Sequence, residues 1–504
     1  MVTQGLLGFQ YETERSSGGL TSLAGLPLYL ELVVACGLAA AIRHHVHVAG
    51  EQGWLDLQMV LAVVFLNLAG GDCIADVGRL QSDAGFVAVM TAIERELLTR
   101  KERRALKARW RRPCERAVPS RSALSGWLER FADPYASKAE AGTAVIPQVT
   151  AQLQGLWRAN QALLEFLQRQ QPSASATLDM DATVIPTHKR DALYCYKGFK
   201  AYQPLNCWWA EQNVMLYSEF RDGNVPAGHE QLRVLKDSLS YLPASVKKVS
   251  VRSDSAGYQQ EFMLYCGEGK DPRFGVIEFA VSADVTEAFR ATVVATAESE
   301  WKPLIRMVDG QPQQTGQEWA EVCYVPDWAG HSRKRADYRF LAIREPLRQL
   351  ELGDEALLPF PTQQFGRKGT YKLFGVVTNR KDAGDKVIWW LRERCGKSEE
   401  VHAVMKSDLA GGQLPSGLFG ANAAWWALTI LTHNLNSVMK QLVLGKAWAP
   451  SRMKALRFHL IALPGRVVRH ARRLMIRLGA AAEVTATLIR ARETIRALAC
   501  GPAG

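Results

Sequence analysis

With 504 residues the chain exceeds one compact core and predicts two to four domains. Its 47% hydrophobic and 22% charged residues suit a soluble globular protein and exclude disorder over most of the length. A net charge of +12 prepares it to meet a polyanion, as any basic enzyme would be, and nine cysteines without a C-x-x-C pair predict reduced cytoplasmic thiols with neither a disulfide framework nor a zinc site.

Residues 1–170 read as mostly helical and form a candidate DNA-binding region. Leu20–Ile42 is apolar but carries Pro27 and Glu31, and Met59–Gly70 is too short to span a bilayer, so both predict buried helices of a soluble domain. The residues after Met1 lack the charged start of a signal peptide. His44, His45 and His47 follow an apolar helix without a carboxylate partner and are expected at the surface or in a cap. Arg100, Arg104, Lys107 and Arg111 fall on one helical face, which suits a solvated surface and a phosphate-contacting one equally.

The pattern changes near residue 172. Strands are predicted over 176–185, 202–210 and 214–220, with a turn at Asp222-Gly223-Asn224. A helix over 229–242, a strand over 246–253, a short helix over 259–266 and a strand over 274–281 follow. Three strands, a helix, a strand, a helix and a strand are the order of a ribonuclease H-like core, so the expected class is α/β. Its first part is residues 171–281. Residues 282–385 predict a β-rich insertion domain, with strands over 318–325, 338–343 and 371–378. Helical spacing returns over 387–410, inside a returning core segment, residues 386–426. Residues 427–504 read as a helical C-terminal region, in which Arg466, Arg469, Arg473 and Arg477 make a second one-sided basic stripe.

Three acids stand out. Asp179 and Asp181 share one face of the first strand, and a charged pair in an apolar strand is expensive to bury without a cation. Asp254 ends the strand VSVRS, where α/β folds place ligands, although a strand-end Asp is also an ordinary cap or turn residue. Glu399 and Lys406 lie seven residues apart and share a helical face, with Glu400 turned away by about 100°. Phosphodiester cleavage needs an activated water or 3′-hydroxyl and stabilised attacking and leaving oxygens. Two Mg²⁺ ions roughly 3.5–4 Å apart supply all of this, held by a few carboxylates.

The segments LDMDATVIPTHK (178–189), EFRDGNVPAG (219–228), VSVRSDSAGY (249–258), 392–426 and ALTILTHNLNSVMK (427–440), with LPGRVVRHARR (463–473), resemble the DDE transposases of bacterial insertion sequences. The resemblance is to the insertion-sequence-4-like class and, within it, the group numbered 1380. It implies a magnesium-dependent transposase acting by cut and paste, with Asp181, Asp254 and Glu399 as catalytic, metal-holding acids. It further implies two Mg²⁺ ions, for which Mn²⁺ can substitute, and double-stranded DNA partners: the terminal inverted repeats and the target. A homodimer on DNA in the bacterial cytoplasm, at the nucleoid, is expected. Arg394, Lys406, Arg100, Arg104, Lys107, Arg111, Arg466, Arg469 and Arg473 are the expected DNA contacts. The interval from Asp254 to Glu399 is about twice that from Asp181 to Asp254, as an insertion requires. The chain departs from the class where it has Arg392 and Cys395 in place of the signature Tyr and Arg. The rival readings are a nuclease that only hydrolyses DNA and an inactive transposase-derived DNA-binding protein.

Overall fold

The computed structural model describes residues 18–98, 100–110, 116–133, 144, 146–326, 338–347, 360–366, 369–470 and 473–500. The chain divides into two compact units. One comprises Met1–Pro134, Val149–Leu163 and Val404–Gly504, the other Tyr135–Gln148 and Leu164–Ala403.

The second unit is built on a ten-stranded mixed sheet. Its strands are β1 (Ser175–Ala182), β2 (Leu205–Trp209), β3 (Val214–Glu219), β4 (Lys248–Ser253), β5 (Glu278–Ala283), β6 (Lys302–Val308), β7 (Gln311–Val322), β8 (Arg339–Pro346), β9 (Thr362–Gln364) and β10 (Thr370–Thr378). They lie in the order β3-β2-β1-β4-β5-β10-β8-β7-β6, with β9 on β10. β1 runs antiparallel to β2 and parallel to β4, and β4 runs parallel to β5. Beyond β5 every pairing is antiparallel, so the strands after residue 300 extend the same sheet. Period-two alternation in β1 sends Ala176, Leu178 and Met180 to one face, all fully buried, and Thr177, Asp179 and Asp181 to the other. Helices α1 (Gln231–Tyr241) and α2 (Gln260–Gly267) follow β3 and β4 in the chain. Helix α3 (Gly384–Arg392) buries Val387, Ile388 and Leu391 against Leu304, Leu341, Ile343 and Val376 of the extended sheet.

Several predicted elements are cut shorter, each for a local reason. The strands expected over 176–185 and 202–210 break, and Ile185–Pro186 pairs with Ala201–Tyr202 in a separate ribbon. Pro204, which has no N–H to give a ladder, separates that ribbon from β2. The strand expected over 274–281 starts only at Glu278, because the Asp271 carboxylate gathers the N–H groups of Arg273 and Phe274 into a turn. The helix expected over 387–410 is three pieces: α3, then α4 (Lys397–Ala403), then a π-helical turn, Val404–Asp408. Gly396 breaks it with φ of 83°, a left-handed conformation that glycine adopts without a steric penalty.

The first unit is mainly helical. Pro27–Ala35, Leu38–His45 and Asp56–Ala69 are largely buried, and no single helix among the described residues is long and apolar enough to cross a membrane. Helix Phe419–Val438 is buried on every side from Ala421 onward, its polar residues included. Its polar side chains find partners: Asn434 donates to Asn160 at 2.8 Å, and Tyr29 donates to Asn436 at 2.8 Å. His44 and His45 close the helix Leu38–His45, and His47 contacts the His44 carbonyl at 2.8 Å.

The second basic stripe is not helical. Gly465–His470 and Arg473–Leu478 form an antiparallel hairpin, with Leu20–Thr21 on its outer edge. Pro464 and Gly479 bracket it, and Val, Leu, Met and Ile dominate its middle, a composition that favours strand. Arginines three and four residues apart, which would share a helix face, are divided between the two faces of a strand.

Candidate active site

All three acids and Arg394 belong to the second unit. Asp181 lies near the end of β1 and pairs in register with Asn206 of β2, which in turn pairs with Ser218 of β3. The three side chains therefore form a polar row across adjacent strands. The Ser218 hydroxyl donates to Asn206 Oδ1 at 2.7 Å, and the Asn206 amide donates to His402 Nε2 at 3.0 Å. With Nε2 an acceptor, the neutral ring carries its proton on Nδ1, which lies 4.0 Å from Asp181 Oδ2. Arg394 Nη2 stands 3.4 Å from the other Asp181 oxygen.

Asp254 follows β4 directly, beside the β1 end, since Met180 is the last β1 residue paired with β4. Its carboxylate accepts from the Ala256 N–H at 3.1 Å and caps the turn Ser255–Gly257. Glu399 is exposed in the first turn of α4 and accepts from the Gly396 N–H at 2.5 Å, half of a capping box. Asp254 and Glu399 thus each have a local structural task as well as a place near Asp181. Lys406 falls in the π-helical turn, in the other unit, so one regular α-helix carrying Glu399 and Lys406 on a shared face does not form. The wide pitch of that turn shows in the Leu409 N–H, which donates to the Val404 carbonyl at 2.9 Å, and the Lys406 carbonyl accepts from the Gly412 N–H at 2.9 Å beyond its end.

Burial pushes the Asp181 carboxyl up to about 6; Arg394 opposes this, and the charges of Asp254 and Glu399 add to it. The three carboxylates are therefore close enough to repel. Among the described residues, however, no three His, Cys, Asp or Glu side chains converge closely enough to enclose a metal ion. The donor chemistry fits Mg²⁺: oxygen ligands only, a repulsion that a divalent cation relieves, and few protein ligands needed because the ion keeps several waters.

The raised value gives a pH prediction. Between about pH 4 and 6 native Asp181 keeps a proton that the unfolded chain has released, so its contribution to stability is full below that window and lost as pH rises through it. In metal-free buffer the wild-type melting temperature should fall relative to that of Asp181→Asn across this window. Parallel curves would show that Asp181 ionises as freely as in the unfolded chain.

Asp179 does have a buried cation, but it is Arg252. The two are register partners on β1 and β4, and the guanidinium meets both carboxylate oxygens, at 2.5 and 2.9 Å. Arg252 also donates to the Trp390 carbonyl at 2.6 Å and to Glu393 at 2.8 Å, and lies over the Trp390 ring. It therefore ties the β1–β4 pair to the end of α3, immediately before Arg394 and α4.

Of the expected DNA contacts, Arg100, Arg104 and Lys107 lie on helix Arg100–Ala108, which buries no residue, while Arg111 lies outside the described residues. In the hairpin, Arg466 pairs with Arg477 and His470 with Arg473, while Arg469 projects from the opposite face.

The sequence profile described as "Transposase DDE domain group 1" matches residues 10–500, nearly the whole chain. The chain belongs to the DDE transposase family. Among solved structures, this family member is similar to the piggyBac transposase synaptic complex with hairpin DNA, seen by cryo-EM. The identity is 10% and the TM-score 0.39, covering 88% of this chain and 80% of that one, a likeness too loose to place any residue. No curated protein matches it in sequence.

Proposed function

We propose that this family member is a cut-and-paste DNA transposase with a ribonuclease H-like core, in the insertion-sequence-4-like class and group 1380. The observation that carries the reading is the family match over residues 10–500; in the site, Asp254 and Glu399 lie close enough to Asp181 for their charges to raise its carboxyl. The order β3-β2-β1-β4-β5, antiparallel on one side of β1 and parallel on the other, supports the core assignment.

Asp181, Asp254 and Glu399 would hold two Mg²⁺ ions, with Mn²⁺ as a substitute. When bound, the metal supplies an activated oxygen nucleophile and stabilises the leaving oxygen. The protein's own groups do the rest. The Ser218–Asn206–His402 chain fixes the His402 ring beside Asp181. Arg394 offsets negative charge at Asp181 and, when displaced from it, is placed to hold a DNA phosphate. Lys406, the Arg100–Lys107 face with Arg111, and the Arg466 and Arg473 hairpin supply further phosphate contacts, which position the duplex without reading it. The partners are the transposon's terminal inverted repeats and target DNA, engaged as a homodimer in the bacterial cytoplasm, at the nucleoid.

A second reading, an inactive transposase-derived DNA-binding protein, is favoured by the lack of three fully converging ligands among the described residues. A joining assay separates the two. A pre-cleaved end duplex with a free 3′-hydroxyl is incubated with plasmid and Mg²⁺. The transposase reading predicts covalent end–plasmid products. Hydrolysed DNA alone points to a simple nuclease, and bound but unreacted DNA to the inactive descendant.

A further inference from the structure

The paired strands Gly465–His470 and Arg473–Leu478 carry an unusual charge pattern. Their register puts Arg466, Val468, His470, Arg473, Met475 and Arg477 on one face, with Arg466 directly opposite Arg477 and His470 opposite Arg473. Directly opposed basic groups destabilise an antiparallel pair. Among the described residues neither Arg473 nor Arg477 makes an ion pair with an acidic side chain, and both are exposed. The nearby acids are engaged elsewhere. Asp83 accepts from Thr21, Ser22 and Phe86, and Asp76 from the N–H groups of Asp72 and Cys73. Arg79 lines the same groove as Arg466 and Arg477. The opposite face of the hairpin buries Val467 and is seated there, with Leu474 and Ile476 half-buried and Arg469 exposed beyond them; on the basic face Arg466, Val468 and Met475 are half-buried, and His470, Arg473 and Arg477 are exposed.

The two basic rows lie four residues apart along the strand, about 14 Å at ~3.4 Å per residue. Between them Val468 and Met475 pair as an aliphatic strip. The major groove of duplex DNA is about 12 Å wide and admits a two-stranded ribbon, whereas the minor groove at about 6 Å does not match that span. We propose that this hairpin enters the major groove, its basic rows on the two flanking phosphate walls and Val468 and Met475 against the base edges. Apolar side chains read the thymine methyl group there. The proposal rests on the transposase reading and adds to it the element that recognises the end sequence. Arg469, exposed on the opposite face, lies outside these two rows.

The test is equilibrium binding of the full chain to a labelled duplex carrying the inverted repeat that flanks its gene, and to a scrambled duplex, across a salt series. Arg473→Gln/Arg477→Gln should weaken binding to both duplexes and lower the slope of log K against log salt by about 1.8, at ~0.9 per phosphate contact. Arg469→Gln should leave the slope unchanged. Val468→Ala/Met475→Ala should keep scrambled-duplex affinity and narrow the preference for the repeat by about tenfold, within the usual effect of one lost base contact. An unchanged slope in a double-arginine variant that melts like wild type overturns the hairpin assignment, as does an equal loss with Arg469→Gln. Wild-type protein that binds neither duplex at any salt overturns the transposase reading itself.

Discussion

Asp181→Asn is expected to lower end cleavage and strand joining by at least about 10³-fold while leaving duplex binding within about twofold of wild type. The magnitude follows from removing a group whose charge is needed where the reaction's own charge develops, which typically loses 10²–10³ even for a single neutral donor. Asn keeps the volume and one acceptor, so the strand pairing of Asp181 with Asn206 and the chain from Ser218 to His402 remain. The change removes negative charge from a cluster that already repels itself, so the fold should not weaken and its metal-free stability above about pH 6 should rise. More stable yet inactive is the signature of a carboxylate kept for chemistry. Loss of stability together with activity would assign Asp181 a structural role.

Arg252→Met should destabilise the second unit by roughly 3–5 kcal/mol, the usual consequence of leaving a buried carboxylate without its cation. Met fills the space of the aliphatic stem but abandons Asp179, the Trp390 carbonyl and Glu393 together. Asp179→Asn should cost less, because Arg252 keeps Glu393 and the carbonyl. Chemical denaturation measures both. Equal, small effects would mean that the pair is hydrated in solution. Because Arg252 holds the end of α3 to β1 and β4, a surviving Arg252→Met protein should also lose cleavage beyond its loss of folded fraction.

Much of the architecture is legible in the residues because it is written locally. Alternation in LDMDA gives β1 its two faces, and Asp254 sits where VSVRS stops alternating. The strands of the insertion read as β from their own composition, but their attachment to β5 depends on edge pairing a hundred residues away, which no local pattern contains. The same non-locality hides the partner of Asp179. The expense of a buried strand carboxylate is visible, yet the cation that answers it lies on β4, in register, where a metal was the other candidate. His402 can be noticed between Glu399 and Lys406, but Asn206, which fixes its ring, lies across the sheet. Two errors are local. Gly396 reads as a tolerated helix glycine until its positive φ is seen, and the hairpin arginines happen to fall at helix spacing while the residues between them favour strand.

Mg²⁺-dependent cleavage of a labelled transposon-end duplex, wild type beside Asp254→Asn, separates a catalytic Asp254 from a capping one. Wild type should cut at the end and not in EDTA, and the Asn variant should bind the duplex without cutting it. Equal cleavage by both proteins would reduce Asp254 to the cap of its turn and contradict the assignment of the active site.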